Sequence, residues 1–83
     1  MESNPFSLDT AFARVNQLAN EDAPPGALYW RRTIQELHAA YAGTRVTAGD
    51  YEAGHAVDVM WRWSSEDGDL GHEYWTYVAS LLR

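Results

Sequence analysis

Apolar residues in this 83-residue chain recur every three to four positions in four separate segments. This spacing is typical of an amphipathic α-helix, because residues three and four apart lie on the same side of a helix. The predicted helices cover approximately residues 8–19, 25–42, 48–63 and 70–82. Residues 1–6 precede the first helix, and we expect them to be flexible. The sequence therefore predicts an all-α fold, a compact bundle of four short helices joined by short loops.

Residues that favour helix ends occur close to these boundaries. Ser7 is a suitable N-cap for the first helix, and Pro24-Pro25-Gly26 interrupts the helical pattern after it. Gly43 suits the C-terminus of the second helix. Thr47-Ala48-Gly49-Asp50 has the Thr-x-x-acid spacing of a helix start, and Asp69 can cap the fourth helix.

The third segment also allows a strand, because its large residues alternate along the chain. These alternating residues are Val57, Val59, Trp61 and Trp63. The alternative fold is therefore α+β, with a hairpin in the C-terminal half made from residues 56–63 and 73–79. A strand would place Met60 beside Asp58 on the polar face, whereas a helix gathers the apolar residues into an arc of about 200°. We therefore favour the helix.

Length and charge limit the classes of protein to which the chain can belong. The 83 residues form a single domain, and the absence of cysteine excludes disulfides and zinc–thiolate sites. The formal net charge is −6, which disfavours direct contact with nucleic acids or anionic membranes. No signal peptide or membrane-spanning stretch is visible, so we expect a cytoplasmic protein.

The chain has more large aromatic side chains than the core of a four-helix bundle requires. Trp61 and Trp63 are two residues apart, so on a helix they point about 200° apart and cannot both enter one core. Trp75 and Tyr29 also lie away from the centres of their helical stripes. With Arg62 between the two tryptophans, these residues predict an aromatic interaction patch, because tryptophan, tyrosine and arginine dominate binding hot spots. The alternative is that the rings cover the edges of the domain's own core.

Acidic residues concentrate in the C-terminal half and predict an acidic rim beside the aromatic patch. The rim residues are Glu52, Asp58, Glu66, Asp67, Asp69 and Glu73. Such a surface keeps a protein soluble, and it also suits a partner with a basic surface. A nucleic-acid mimic that blocks a DNA- or RNA-binding protein is the alternative function.

No catalytic constellation is convincing. Tyr51, His55, Asp58 and Arg62 would form one polar line along the third helix, but Asp58 and Arg62 are explained as an i, i+4 ion pair. His55 and His72 each follow a carboxylate by three residues, which makes them weak candidates for metal ligands. A metal-binding helical protein is therefore a further alternative, although we expect neither an enzyme nor a cofactor.

The sequence thus predicts a small, acidic, non-catalytic module for protein–protein interaction. Accessory and inhibitory factors such as immunity proteins or phage-encoded anti-defence proteins share this size and composition, and the likeness extends no further. The expected partner is a protein, with a homodimer as the other arrangement of the apolar surface. His38, His55 and His72 are evenly spaced, but their surroundings share little else, so we infer no internal repeat from them.

Overall fold

The structure is a computed structural model that describes residues 7–44, 51–66 and 68–82. It contains four helices, α1 (Asp9–Asn20), α2 (Ala27–Ala42), α3 (Gly54–Glu66) and α4 (Gly68–Leu81). The prediction of an all-α four-helix bundle is confirmed, and none of the described residues forms a strand, so the α+β alternative is not needed. Among these helices, none has the length and apolar character required to cross a bilayer.

The helices pack as two hairpins, α1 with α2 and α3 with α4, which meet through α2 and α4. One core runs through both hairpins, and each helix contributes to it through the apolar face that its periodicity predicts. The largest buried apolar side chains of this core are Val15, Trp30, Leu37, Met60, Trp75, Val78 and Leu82.

Helix ends agree with the predictions in part. Gly43 adopts the left-handed conformation at the end of α2 (φ 78°), as predicted. The Ser7 hydroxyl accepts a hydrogen bond from the Asp9 amide at 3.1 Å, although Leu8 holds the N-cap position. α4 begins at Gly68, so Asp69 lies within its first turn and not before it.

The predicted start of α3 is wrong. Residues 51–53 are not helical, and α3 begins at Gly54 and extends to Glu66, beyond the predicted end. The proposed capping sequence at 47–50 lies outside the described residues. The physical reason for the late start is that Tyr29 of α2 holds the backbone before α3 by a hydrogen bond to the Glu52 carbonyl.

Two tyrosines make the same pair of hydrogen bonds at the starts of two helices. Tyr74 of α4 donates to the Ser7 carbonyl at 2.7 Å and accepts from the Ala11 amide at 3.1 Å. Tyr29 of α2 donates to the Glu52 carbonyl at 2.7 Å and accepts from the Ala56 amide at 3.1 Å. Ala11 and Ala56 are each the third residue of their helix, so each hydroxyl satisfies an amide that has no partner within the helix. Each tyrosine hydroxyl therefore caps a helix start in the way that an N-cap side chain does.

These equivalent contacts reveal an internal repeat with an offset of 45 residues. Seven residue pairs at this offset are identical over residues 7–38 and 52–83: Ala11/Ala56, Glu21/Glu66, Asp22/Asp67, Gly26/Gly71, Tyr29/Tyr74, Trp30/Trp75 and Leu37/Leu82. Both tryptophans of the repeated Tyr-Trp pair are 1% exposed. The chain is thus a tandem of two related helical hairpins, a repeat that the even spacing of the histidines does not indicate.

The two copies differ most in the connection between their helices. In the first copy Pro24 and Pro25, which lack backbone N–H groups, and Gly26 at φ 136° keep residues 23–26 out of α2. The Asp22 carboxylate accepts a hydrogen bond from the Ala27 amide at 2.9 Å and so satisfies the first turn of α2. In the second copy, the equivalent residues from Gly68 onward are helical.

Candidate functional site

A cleft opens between the α1–α2 connection and α3. Its lining residues are Leu18, Ala23, Pro24, Trp30, His55, Val59, Arg62 and Trp63. Val59 is buried, Leu18 and Ala23 are half-buried, and His55 and Arg62 are exposed. The cleft therefore combines an apolar floor with polar groups at its edge, as ligand-binding clefts generally do.

Trp30 is fixed in the wall of the cleft. Its indole Nε1 donates to the carbonyl oxygens of Ala23 and Pro24, at 3.1 Å and 3.3 Å, so the ring anchors the α1–α2 connection to α2. The Tyr29 ring packs against it edge-on at 5.1 Å, and the His55 ring lies 5.6 Å from it. Because these contacts restrict the indole and it is 1% exposed, Trp30 is a rigid, buried backing for the cleft wall.

Trp63 forms the opposite wall and is supported from behind. Its ring centre lies 4.7 Å from that of Trp75, in an edge-to-face arrangement. The guanidinium of Arg14 stands over both rings, 5.6 Å from the centre of Trp63 and 5.7 Å from that of Trp75. A cation over the face of an aromatic ring at this distance is attracted by the ring's quadrupole. This contact between α1, α3 and α4 therefore fixes Trp63 on the side away from the cleft.

Arg62 is a charged residue that lines the cleft, and exposed acids flank it along α3. Arg62 has an acid one turn away on each side along α3, Asp58 before it and Glu66 after it, and both are exposed. Within the described part of the chain, neither acid forms an ion pair with Arg62, so the expected Asp58–Arg62 pair is not observed. Glu21 and Asp22 are exposed on the α1–α2 connection. Along α3, two exposed acids thus flank one exposed base.

The structure brings together only part of the predicted aromatic patch. Trp63 and Arg62 line the cleft, whereas Trp61 is 36% exposed and lies outside it. Trp75 is 1% exposed and belongs to the core, which corrects its expected position at the margin. Tyr29 is half-buried and its hydroxyl binds the start of α3, so it supports the structure and is not a free surface ring.

The predicted acidic rim is exposed where the structure describes it. Glu52, Asp58, Glu66 and Glu73 are all exposed, and none of these four carboxylates forms an ion pair in the described part of the chain. The side chains of Asp67 and Asp69 lie outside the described residues. The visible acids belong to the segment before α3, to α3 itself and to α4.

The predicted polar line is broken at its first member. Tyr51 precedes α3, and its hydroxyl shares a hydrogen bond of 2.7 Å with that of Thr33 on α2. His55 packs against the rings of Tyr29 and Trp30. Among the described residues, no group of three or more His, Cys, Asp or Glu side chains is arranged to hold a metal ion, and the weak candidates His55 and His72 are both exposed.

A polar cluster on α2 was not predicted from the sequence. Glu36 is 5% exposed and pairs at 3.1 Å with Arg32, which is 35% exposed. The Arg32 guanidinium also stands 5.7 Å from the ring centre of Tyr51, and Tyr51 stacks on Tyr29. Burial raises the pKa of Tyr51 well above its usual range. The cluster holds the segment before α3 against α2, and nothing in it forms an open site.

Comparisons with known proteins find no family model, no curated protein and no solved structure that matches the chain. Function is therefore argued from the cleft itself. Sequence reasoning missed Trp30, Val59 and the α1–α2 connection as parts of the site, because three segments distant in sequence form it together. The nearest signal in the sequence is the repeat, which places two Tyr-Trp pairs in equivalent positions.

Proposed function

We propose that this chain is a small, acidic, non-catalytic interaction module, an accessory or inhibitory factor that binds a protein partner through the cleft between the α1–α2 connection and α3. The observation that supports this proposal is the half-buried Trp63 ring, which lines the cleft and is held in place by Trp75 and Arg14. Rigid aromatic groups at the centre of a contact, surrounded by polar groups, are the usual features of a binding hot spot.

Exposed carboxylates on α3 favour a partner with a basic surface. Asp58 and Glu66 are exposed on either side of Arg62 and are free to meet opposite charges, which speeds association and selects the partner. Trp61 lies outside the cleft and is 36% exposed on α3. A homodimer through this helix is the other arrangement that the same surface supports.

The test compares two tryptophan variants as bait in affinity capture from the native host, with light scattering on each purified protein. Trp63→Leu removes an indole from the cleft and keeps an apolar side chain, whereas Trp61→Ala removes an indole outside it. We expect Trp63→Leu to lose a partner that wild type and Trp61→Ala retain. Urea unfolding of both variants controls for stability. Retention of the partner by a folded Trp63→Leu protein contradicts binding at the cleft.

A nucleic-acid mimic is the second candidate. The exposed carboxylates of Glu52, Asp58, Glu66 and Glu73, which form no ion pair within the part of the chain that the structure describes, favour it. A mimic binds mainly through charge, so its complex weakens steeply as salt is raised. Charge reversal at Glu66 and Glu73 would then abolish binding while Trp63→Leu has little effect. The opposite ranking supports the cleft.

A further inference from the structure

Arg62 lines the cleft although two acids stand at the spacing that favours an ion pair with it. Asp58 lies four residues before it on α3 and Glu66 four residues after it, and all three side chains are exposed. Within the described part of the chain, the guanidinium pairs with neither acid. It is one of the groups that line the cleft. The edge of the cleft therefore carries a cation whose charge no neighbouring carboxylate neutralises.

The equivalent positions in the first half of the repeat do form a contact. At the offset of 45 residues, Gln17 corresponds to Arg62 and Glu21 corresponds to Glu66. The Gln17 amide donates to the Glu21 carboxylate at 3.1 Å, across the same i, i+4 spacing. A guanidinium binds a carboxylate more strongly than a neutral amide does, so the spacing alone does not explain why Arg62 and Glu66 are not paired. The position of Arg62 at the cleft indicates a ligand that carries negative charge.

The rest of the cleft lining is mainly apolar, and the cleft is small. Leu18, Ala23 and Trp63 are half-buried in its lining, and Val59 is buried in its floor. Its volume of about 250 Å³ is less than the roughly 300–1,000 Å³ of sites for drug-sized ligands, so it suits a single residue. A fitting occupant therefore joins one hydrophobic side chain to one anionic group.

We propose that the cleft binds the C-terminal residue of the partner chain, with the terminal carboxylate at Arg62 and a hydrophobic side chain against the apolar lining. This inference rests on the proposed function and names the group that the cleft recognises. A C-terminal leucine carries both groups on one Cα atom, whereas an acidic side chain would bring its charge towards the apolar floor, where burial is costly. The guanidinium offers two parallel N–H donors that match the two oxygens of a carboxylate.

The acidic character of the chain is compatible with this ligand. The net charge of −6 acts over distances that salt screens beyond about 10 Å at about 0.1 M, whereas the carboxylate meets the guanidinium at contact. Asp58 and Glu66 weaken the attraction at Arg62, and they suit basic residues elsewhere on the partner. Charge alone is therefore a weak source of affinity at this site, and a carboxylate without an apolar side chain should bind poorly.

The experiment titrates the isotope-labelled protein with N-acetyl-leucine and follows the Trp63 indole N–H and Arg62 Nε–H signals by NMR. N-acetyl-leucine amide has nearly the same shape without the charge, and N-acetyl-glycine keeps the charge without the apolar side chain. We expect saturable shifts with N-acetyl-leucine at millimolar concentrations, and binding of each control compound weaker by about fivefold to tenfold. Equal binding of N-acetyl-leucine and either control, or no shift at tens of millimolar, would falsify the proposal.

Three substitutions at exposed positions locate the anion. Arg62→Gln introduces the counterpart of Gln17, and it should bind N-acetyl-leucine and its amide equally. Arg31→Gln removes an exposed arginine that does not line the cleft, and it should behave as wild type. Asp58→Asn removes a charge that repels the ligand, so it should bind N-acetyl-leucine more tightly. A folded Arg62→Gln protein that still prefers the acid to the amide overturns the proposal.

Capture from the native host separates this proposal from the function on which it rests. A partner that is lost with Trp63→Leu and retained with Arg62→Gln leaves the interaction role standing and contradicts the carboxylate contact. A captured partner that still binds after removal of its C-terminal residue contradicts the contact in the same way. Failure of the interaction role itself would appear as equal capture by wild type and Trp63→Leu, a result that is independent of the titrations.

Discussion

Tyr29 and Tyr74 each join a backbone carbonyl and a backbone amide at the start of a helix in the opposite half of the molecule, with the same two distances of 2.7 Å and 3.1 Å. Neither Leu8 nor Ala53, which precede the two helices, has a side-chain oxygen to cap them. The tyrosine hydroxyls therefore cap these helices through a contact between distant parts of the chain, in addition to the local Ser7 contact at α1.

Replacement of either tyrosine by phenylalanine should destabilise the protein. Tyr74→Phe keeps the buried ring and removes the hydroxyl, which leaves the Ser7 carbonyl and the Ala11 amide without their partner. We expect a loss of about 1 to 3 kcal/mol in the free energy of unfolding, measured with urea. Tyr29→Phe should behave in the same way. Tyr41→Phe, at a ring that is 44% exposed, is the matched control and should have a much smaller effect.

Trp75 and Trp61 should differ sharply in their contribution to stability. Trp75 is 1% exposed and packs against Trp63 and Tyr74, so Trp75→Ala leaves a large cavity and should cost about 3 to 5 kcal/mol. Trp61 is 36% exposed, so Trp61→Ala should cost far less. Thermal unfolding monitored by circular dichroism distinguishes the two variants. Similar melting temperatures would contradict the placement of Trp75 in the core.

Arg14→Met tests the stacked guanidinium. Methionine keeps much of the length and apolar contact of arginine and removes its charge, so the change removes the attraction between the cation and the two rings. We expect a loss of about 0.5 to 2 kcal/mol in the free energy of unfolding. The loss should persist at high salt, because the contact is shielded by the rings. Arg62→Met, at an exposed side chain, is the control.

Raising the pH above about 10 should destabilise the folded protein, because three of its tyrosines have a raised pKa. Burial raises the pKa of Tyr51, Tyr74 and Tyr77 in the folded state, whereas the unfolded chain loses tyrosine protons at about pH 10. Above about pH 10 the folded state therefore holds more protons than the unfolded state. Stability is fully present below that pH and falls as the pH rises through the folded-state pKa values.

The measurement for this prediction is urea unfolding at increasing pH, together with tyrosinate absorbance. Tyr51→Phe should reduce the steepness of the fall, because it removes one of the three groups. A free energy of unfolding that stays constant as the unfolded tyrosines ionise would contradict the prediction.

The helices could be predicted from the sequence because each buries one face, and burial imposes a helical period on the apolar residues. The start of α3 could not, since Tyr51 and Glu52 are held in a non-helical segment by Thr33 and Tyr29 of α2. A local capping sequence carries no information about such a contact. The C-terminal cap at Gly43 was predictable, because left-handed backbone at a helix end depends on that residue alone.

The cleft could be predicted only in part. Trp63 and Arg62 were recognised as surplus groups on α3, but the opposite wall comes from Trp30 and from the α1–α2 connection. Trp75 was misplaced because α1 covers its outer side with Arg14, a contact that the helical pattern of α4 alone does not contain. Comparison of the chain with itself at an offset of 45 residues would have paired Trp75 with Trp30 and indicated that both are buried.

The two tyrosine contacts cross between the hairpins, since Tyr74 of the second half secures α1 and Tyr29 of the first half secures α3. Neither hairpin therefore contains everything needed to begin its own first helix. Damage to either half withdraws a contact from the other, so the molecule gains or loses its structure as one cooperative unit. A partner bound in the cleft would contact both halves, so its binding would stabilise the whole fold against unfolding.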